Sequence, residues 1–160
     1  MSDSPLKVWL DREGTLLRLR LARPKANIVD AAMIAALEGA LAEYREVKEL
    51  RAVLLDHEGP HFSFGASVDE HMPGQCNEML KSLHSLVRGM LNFPLPLLVS
   101  TKGQCLGGGL EVALAGSMLF AAPDAKLGQP EIKLAVFAPA ASCFLPERIG
   151  QAKAEDMLFS

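Results

Sequence analysis

Two periodicities organise the apolar residues of this chain. Leu17, Leu19 and Leu21 alternate with Arg18 and Arg20, the pattern of a strand with one buried face, which predicts strands over 7–10 and 15–21 joined by a turn at Glu13-Gly14. Arg23-Pro24-Lys25-Ala26-Asn27 interrupts that pattern. Beyond it Met33, Ile34, Leu37 and Leu41 recur at helical spacing behind Asp30, whose side chain can accept from the open amides of a first turn, so a helix is predicted from Asp30 to about Glu46. Ala52-Val53-Leu54-Leu55 is a short continuous apolar run, which predicts a strand over 51–56 buried on both faces. A second helix over 77–91 ends before Pro94 and Pro96, and Leu97-Leu98-Val99-Ser100 resumes the sheet. Residues 103–111 run from a strand through a glycine-rich turn into a helix over 110–115, followed by a strand over 118–122. Residues 126–131 read as a short strand or loop, and 139–160 as one or two helices. Strands and helices alternating in this way predict an α/β domain.

Length and composition narrow the class. With 160 residues, 49% of them hydrophobic and 22% charged, the chain is one domain or most of one, large enough to hold a core without disulfides or a structural metal. Cys76, Cys105 and Cys143 are odd in number and widely spaced, matching neither a disulfide framework nor a zinc pattern, and they fit a reducing cytoplasm. The net charge of −3 and the scattering of the 16 basic residues argue against nucleic acid as a partner. The most membrane-like stretch, 105–123, carries Glu111 and four glycines and reads better as buried helix and strand, so no membrane association is expected. No basic region followed by an apolar stretch marks the start as a secretory signal, and Leu158-Phe159-Ser160 stops in mid-pattern, as a truncated chain would.

Candidate chemistry gathers in three places. The loop from His57 to Ala66 mixes turn residues with aromatic and small ones, which is unusual for a solvated connection. Gly107-Gly108-Gly109 at a helix start leaves backbone amides uncovered and adds the positive end of a helix dipole, which suits a developing negative charge. Taken alone, close helix–strand packing is the plainer account of these glycines, and neither a P-loop nor a dinucleotide fingerprint is present. Glu111 lies inside the apolar stretch that follows, where a carboxylate is costly unless paired or used. Glu131, between Pro130 and Ile132, is the second such acid, although a solvated loop residue would look the same. Two carboxylates beside an oxyanion site could add and remove protons next to an enolate. His57, His61, His71 and His84 repeat no metal-ligand spacing and are expected at the surface.

Together, Phe62-Ser63-Phe64-Gly65-Ala66, Gly107-Gly108-Gly109-Leu110-Glu111 and Gly128-Gln129-Pro130-Glu131 resemble, in order and spacing, the three signature segments of the crotonase, or enoyl-CoA hydratase, superfamily. The resemblance spans nearly the whole chain. It implies a crotonase-like α/β fold, a spiral of repeated β-β-α units, with residues 1–160 forming a core domain that stops before that family's C-terminal helical region. It implies an acyl-CoA thioester as substrate, with coenzyme A arriving as part of that substrate and no separate cofactor or metal, and a trimeric or hexameric homo-oligomer. Carried over by residue, the oxyanion hole falls on the amides of Ala66 and Gly108 and the hydratase glutamates on Glu111 and Glu131. The coenzyme A contacts fall on Lys25, Ala26, Phe64, Gly65 and Ser67.

Two departures alter the expected acyl pocket. Ser67 stands where the family commonly has Asp, and Phe137-Ala138-Pro139-Ala140-Ala141-Ser142-Cys143 replaces a glycine-rich stretch. With the segment 62–71, the second departure resembles members that hydrate a cyclic conjugated dienoyl thioester. Straight-chain enoyl-CoA hydration, isomerisation and non-catalytic acyl-CoA binding are the alternatives. Phe137, Phe64 and Met90 are apolar enough to line a ring-shaped pocket, with core packing the simpler account of each.

Overall fold

The structure, a computed structural model, describes residues 4–67, 74 and 76–160. Among them the elements run β1 (Leu6–Asp11), β2 (Leu16–Leu21), α1 (Ala31–Tyr44), β3 (Ala52–His57), α2 (Cys76–Leu91), β4 (Leu97–Thr101), β5 (Gln104–Leu106), α3 (Gly108–Leu114), β6 (Met118–Ala121), β7 (Lys126–Gly128), a 3-10 turn (Pro130–Leu134), α4 (Pro139–Ile149) and α5 (Gln151–Phe159). The large sheet has the order β1-β2-β3-β4-β6, with β1 antiparallel to β2 and the other pairs parallel. A second layer holds the parallel pair β5-β7 and is extended by single bridges, Ser63 beside Cys105 and Val29 beside Ala66. Beyond the antiparallel edge strand β1, each turn of the chain therefore adds one strand to the large sheet, one strand or bridge to the second layer, and one helix. That repeat is the spiral of β-β-α units the sequence led us to expect.

The alternating leucines of β2 decide which face of the large sheet is inside. Leu17, Leu19 and Leu21 are at most 1% exposed and meet Val53 and Leu55 of β3 and Leu97 and Val99 of β4 in the same core. Met33, Ile34, Leu37 and Leu41 of α1 and Met79, Leu83, Leu86 and Met90 of α2 complete it. Truncating one such buried side chain to Ala typically costs about 2–5 kcal/mol. Asp30 caps α1 as its position suggested, accepting from Met33 N at 2.9 Å while Arg23 pairs with it. That Arg23 hydrogen bond, with the Met33 amide, outweighs burial and holds the Asp30 carboxyl below its ordinary range.

β3 differs from the expectation of burial on both faces. Val53 and Leu55 are fully buried, whereas Leu54 and Asp56 on the other face are only half-buried. The cover there is a ladder of side chains rather than a helix. Arg18 and Arg20 donate to Asp56 at 2.7 and 2.6 Å, and both guanidinium groups lie over the Trp9 ring at 5.2 and 5.1 Å. Burial of Asp56 opposes its ionisation, but the bonds from Arg20 and Arg18 prevail and its carboxyl sits below the usual range.

Two boundaries also move. α3 begins at Gly108 rather than at residue 110, because Gly107, at φ +50°, makes the break and the next two glycines are already helical. The last stretch divides into α4 and α5 at Gly150, where φ is +81°. The apolar stretch 105–123 spreads over β5, α3 and β6, and among the described residues no helix is long and apolar enough to cross a membrane.

Candidate active site

Four segments remote in sequence meet at the second layer. The loop after β3 runs beside β5, where Ser63 N donates to Gln104 O at 3.1 Å and Leu106 N to Ser63 O at 3.0 Å. On its other side it is joined to the loop before α1, with Phe64 N donating to Ala26 O at 2.9 Å and Val29 N to Gly65 O at 3.0 Å. The start of α3 then closes against it. A Cβ built on Gly108 would lie 3.0 Å from Ala66 Cβ and 3.1 Å from Ala66 N, so only a bare Cα fits there without displacing Ala66.

The planar trans peptide fixes where the two nearest amides point, because its C=O and N–H are directed oppositely. The Gly65 carbonyl is held by Val29 N, so Ala66 N–H is aimed away from Val29. The Gly107 carbonyl accepts the first helical bond of α3 from Glu111 N at 3.0 Å, so Gly108 N–H is aimed out of the helix start. Neither amide has an acceptor among the described residues. Two adjacent uncommitted N–H groups held in place from behind suit an oxygen that gains negative charge.

Both predicted acids lie beside this turn. Glu111 is 3% exposed, and its Oε1 accepts from Ala141 N at 2.9 Å in the first turn of α4, where the helix amides and dipole favour a carboxylate. Glu131, in the first turn of the 3-10 segment, is half-buried and lies over Gly107 so closely that a Cβ there would be 2.6 Å from Glu131 Oε1. Buried Gln129 supports it: with its side-chain amide turned so that the nitrogen faces the acid, the orientation that satisfies both groups, it donates to the two carboxylate oxygens at 2.9 and 3.2 Å. Gln129 belongs to the third signature segment, but its supporting role does not follow from the sequence resemblance. The signal was an amide two residues before an acid.

A cavity of about 260 Å³ adjoins Glu131, lined also by Ile132, Val136, Phe137, Ala138 and Leu158. Glu111, Ala66 and Gly108 do not line it, so the apolar space lies on the Glu131 side of the turn. Phe137 is 73% exposed at its edge, and Phe64 is also exposed, its ring edge-on to His61. Met90 is no pocket residue: it is buried in the core contact of α2.

Of the residues carried over for coenzyme A, Ala26, Phe64 and Gly65 are brought together by the backbone bonds above. Lys25 is exposed next to Ala26 at φ +99°, and half-buried Ser67 follows Ala66. The three described histidines, His57, His61 and His84, are less exposed than expected. His57 is half-buried edge-on to Phe62, and burial lowers its pKa. His61 Nδ1 accepts from Gln104 N at 3.1 Å, and His84 is half-buried on α2. His71, with 68–70, lies outside the described residues. Among the described residues no group of three or more His, Cys, Asp or Glu is placed to hold a metal ion.

The enoyl-CoA hydratase/isomerase family model matches residues 11–160. The chain belongs to the enoyl-CoA hydratase/isomerase family. It is 75% identical over 159 residues, 99% of its length, to the cyclohexa-1,5-dienecarbonyl-CoA hydratase of Thauera aromatica, of which it spans 62%. Among solved structures of the family fold, the enoyl-CoA hydratase of Bacillus anthracis superposes with a TM-score of 0.90 at 26% identity, covering 97% of this chain and 62% of that one. The enoyl-CoA hydratase of Mycobacterium smegmatis gives a TM-score of 0.90 at 24% identity over 98% of this chain and 62% of that one. The chain thus spans about three fifths of the length of these members of the enoyl-CoA hydratase/isomerase family.

Proposed function

We propose that this chain carries the catalytic core of a hydratase that adds water to cyclohexa-1,5-diene-1-carbonyl-CoA, giving 6-hydroxycyclohex-1-ene-1-carbonyl-CoA, a step of anaerobic benzoyl-CoA degradation. The 75% identity to the Thauera aromatica hydratase carries this reading, and the site chemistry supports it. The amides of Ala66 and Gly108 receive the thioester oxygen, and Glu111 and Glu131 hold the water. The water oxygen bonds to the ring carbon β to the thioester carbonyl. The electron pair of that double bond moves through the α carbon to the thioester oxygen, forming a dienolate. A proton then reaches the far end of the dienolate, where the second double bond ended, and the remaining double bond shifts to the α carbon. One water proton leaves and one proton returns, so the glutamate pair ends as it began, each proton-handling role being worth about 10²- to 10⁴-fold in rate. The apolar cavity beside Glu131 accepts the ring, and Lys25 meets the phosphates of coenzyme A. No cofactor beyond the coenzyme A of the substrate enters this scheme. The reading includes a cytoplasmic homo-oligomer, which the exposed Leu134, Phe137 and Phe159 and the three free thiols support.

The test is incubation with cyclohexa-1,5-diene-1-carbonyl-CoA and, separately, crotonyl-CoA, with uptake of one water followed by mass spectrometry beside Glu131→Gln. Hydration of the dienoyl thioester alone, lost in the variant, is expected. Hydration of crotonyl-CoA alone would move the assignment to a straight-chain hydratase, and thioester binding with no hydration would leave a binding module.

A further inference from the structure

Asn27 is 1% exposed and holds φ +43°, an unusual backbone state for a residue other than glycine, in the loop before α1. Its side chain is fully engaged. Oδ1 accepts from Arg23 N at 2.9 Å, which closes its own loop, and Nδ2 donates to Glu58 O at 3.0 Å and His61 O at 3.1 Å, which ties that loop to the one leading to Ala66. Two backbone bonds continue the same seam, Phe64 N to Ala26 O and Val29 N to Gly65 O. The last of these orients the Gly65–Ala66 peptide and hence the direction of Ala66 N–H.

We infer that Asn27 is a positioning residue that couples the loop 23–29 to the Ala66 amide, so that contacts of the thioester's coenzyme A part with this loop set the aim of the donor that meets its carbonyl oxygen. The inference rests on the assignment of Ala66 and Gly108 as the oxygen-binding amides. Its physical basis is a lever. The Asn27 side chain fixes the separation of the two loops at one end of the seam, and the Val29–Gly65 bond reports that separation at the other. Loosening the first end lets the peptide rotate, and a misplacement of about 1 Å remote from the reacting atoms can cost about 10²-fold in rate.

The test uses cyclohexanecarbonyl-CoA labelled with carbon-13 at the thioester carbonyl. This analogue lacks the ring double bonds, so it binds without reacting. Isotope-edited infrared spectra report hydrogen bonding to the carbonyl as a fall in its stretching frequency, and calorimetry reports affinity. Asn27→Gly keeps the positive φ while deleting both ties, and Asn27→Asp keeps the acceptor for Arg23 N but offers no donor to Glu58 O and His61 O. The expected result is a lowered frequency in the unaltered chain that returns toward the free value in both variants, with affinity within about threefold and hydration down about 10²-fold. An unchanged frequency in both variants overturns the coupling while leaving the site assignment intact. A parallel loss of affinity in both variants also overturns it, since Asn27 would then only hold the binding loop. No shift on binding to the unaltered chain overturns the oxygen-binding assignment itself, and the coupling with it.

Discussion

Replacing Gly108 by Ala separates the proposed chemistry from the fold. Gly108 is helical and lies outside the positive-φ residues, so Ala adopts its φ without torsional strain, and the reduced freedom of the unfolded chain favours Ala by about 0.4–1 kcal/mol. Against this, the new Cβ would sit 3.0 Å from Ala66 Cβ and 3.1 Å from Ala66 N, a few tenths of an ångström too close. The two effects oppose each other, and with Ala66 free to give by that distance the melting temperature should move by no more than about 2–4 °C. Activity should respond differently, because the methyl group lies against the Ala66 amide and pushes the thioester oxygen away from it. Loss of one such donor costs about 10²- to 10³-fold in turnover, or about 2.7–4 kcal/mol. The assay is hydration of cyclohexa-1,5-diene-1-carbonyl-CoA by the variant and the unaltered chain, with thermal melts of both. Turnover of the variant within about threefold of the unaltered chain would refute the assignment, since no oxyanion donor of that kind is so dispensable.

Other outcomes follow from the buried titratable groups. Cys105 is fully buried and burial raises its thiol pKa to about 12, whereas Cys143 is exposed, so brief alkylation of the folded chain read by peptide mass spectrometry should label Cys143 first and leave Cys105 unmodified until denaturant is added. His57 is held below its ordinary 6.5 by burial, so the folded chain binds fewer protons than the unfolded one at mildly acid pH. Its contribution is complete above 6.5 and is lost as pH falls toward its lower folded value, and urea midpoints should show that decline reduced in His57→Gln. Asp30 and Asp56 act in the same sense lower down, losing their contribution as pH falls below the ordinary 3.8, and Asp56→Asn should flatten that acid limb.

What could be read from the residues depended on how local the cause was. Leu17, Leu19 and Leu21 announce a buried face because the strand period is set by the backbone alone, and Asp30 announces a helix start because its partner amide is three residues away. Leu54 is less buried than its apolar run implies because hydrophobicity records the residue and not its neighbours, and the neighbours across the sheet are Arg18 and half-buried Leu98. At the site the glycines were legible as bare backbone, but their reasons lie elsewhere in the chain. Gly107 is bare because of Glu131, and Glu111 is tolerated because of Ala141 N, thirty residues downstream. Asn27 gave no special signal, since an Asn in a loop looks alike whether it faces water or ties two loops together.

Ser63 and Gly109 share one small space. A Cβ at Gly109 would fall 2.5 Å from both Cβ and Oγ of Ser63, whose hydroxyl accepts from Gly65 N at 3.1 Å. The volume available to the two side chains together is therefore close to that of a single hydroxymethyl group. A lineage that gains a methyl on the helix at Gly109 has to give up the hydroxymethyl group on the loop at Ser63. The pair should consequently change in concert over evolutionary time, and a mutational library that varies the two independently will find its functional members along a line rather than across a plane.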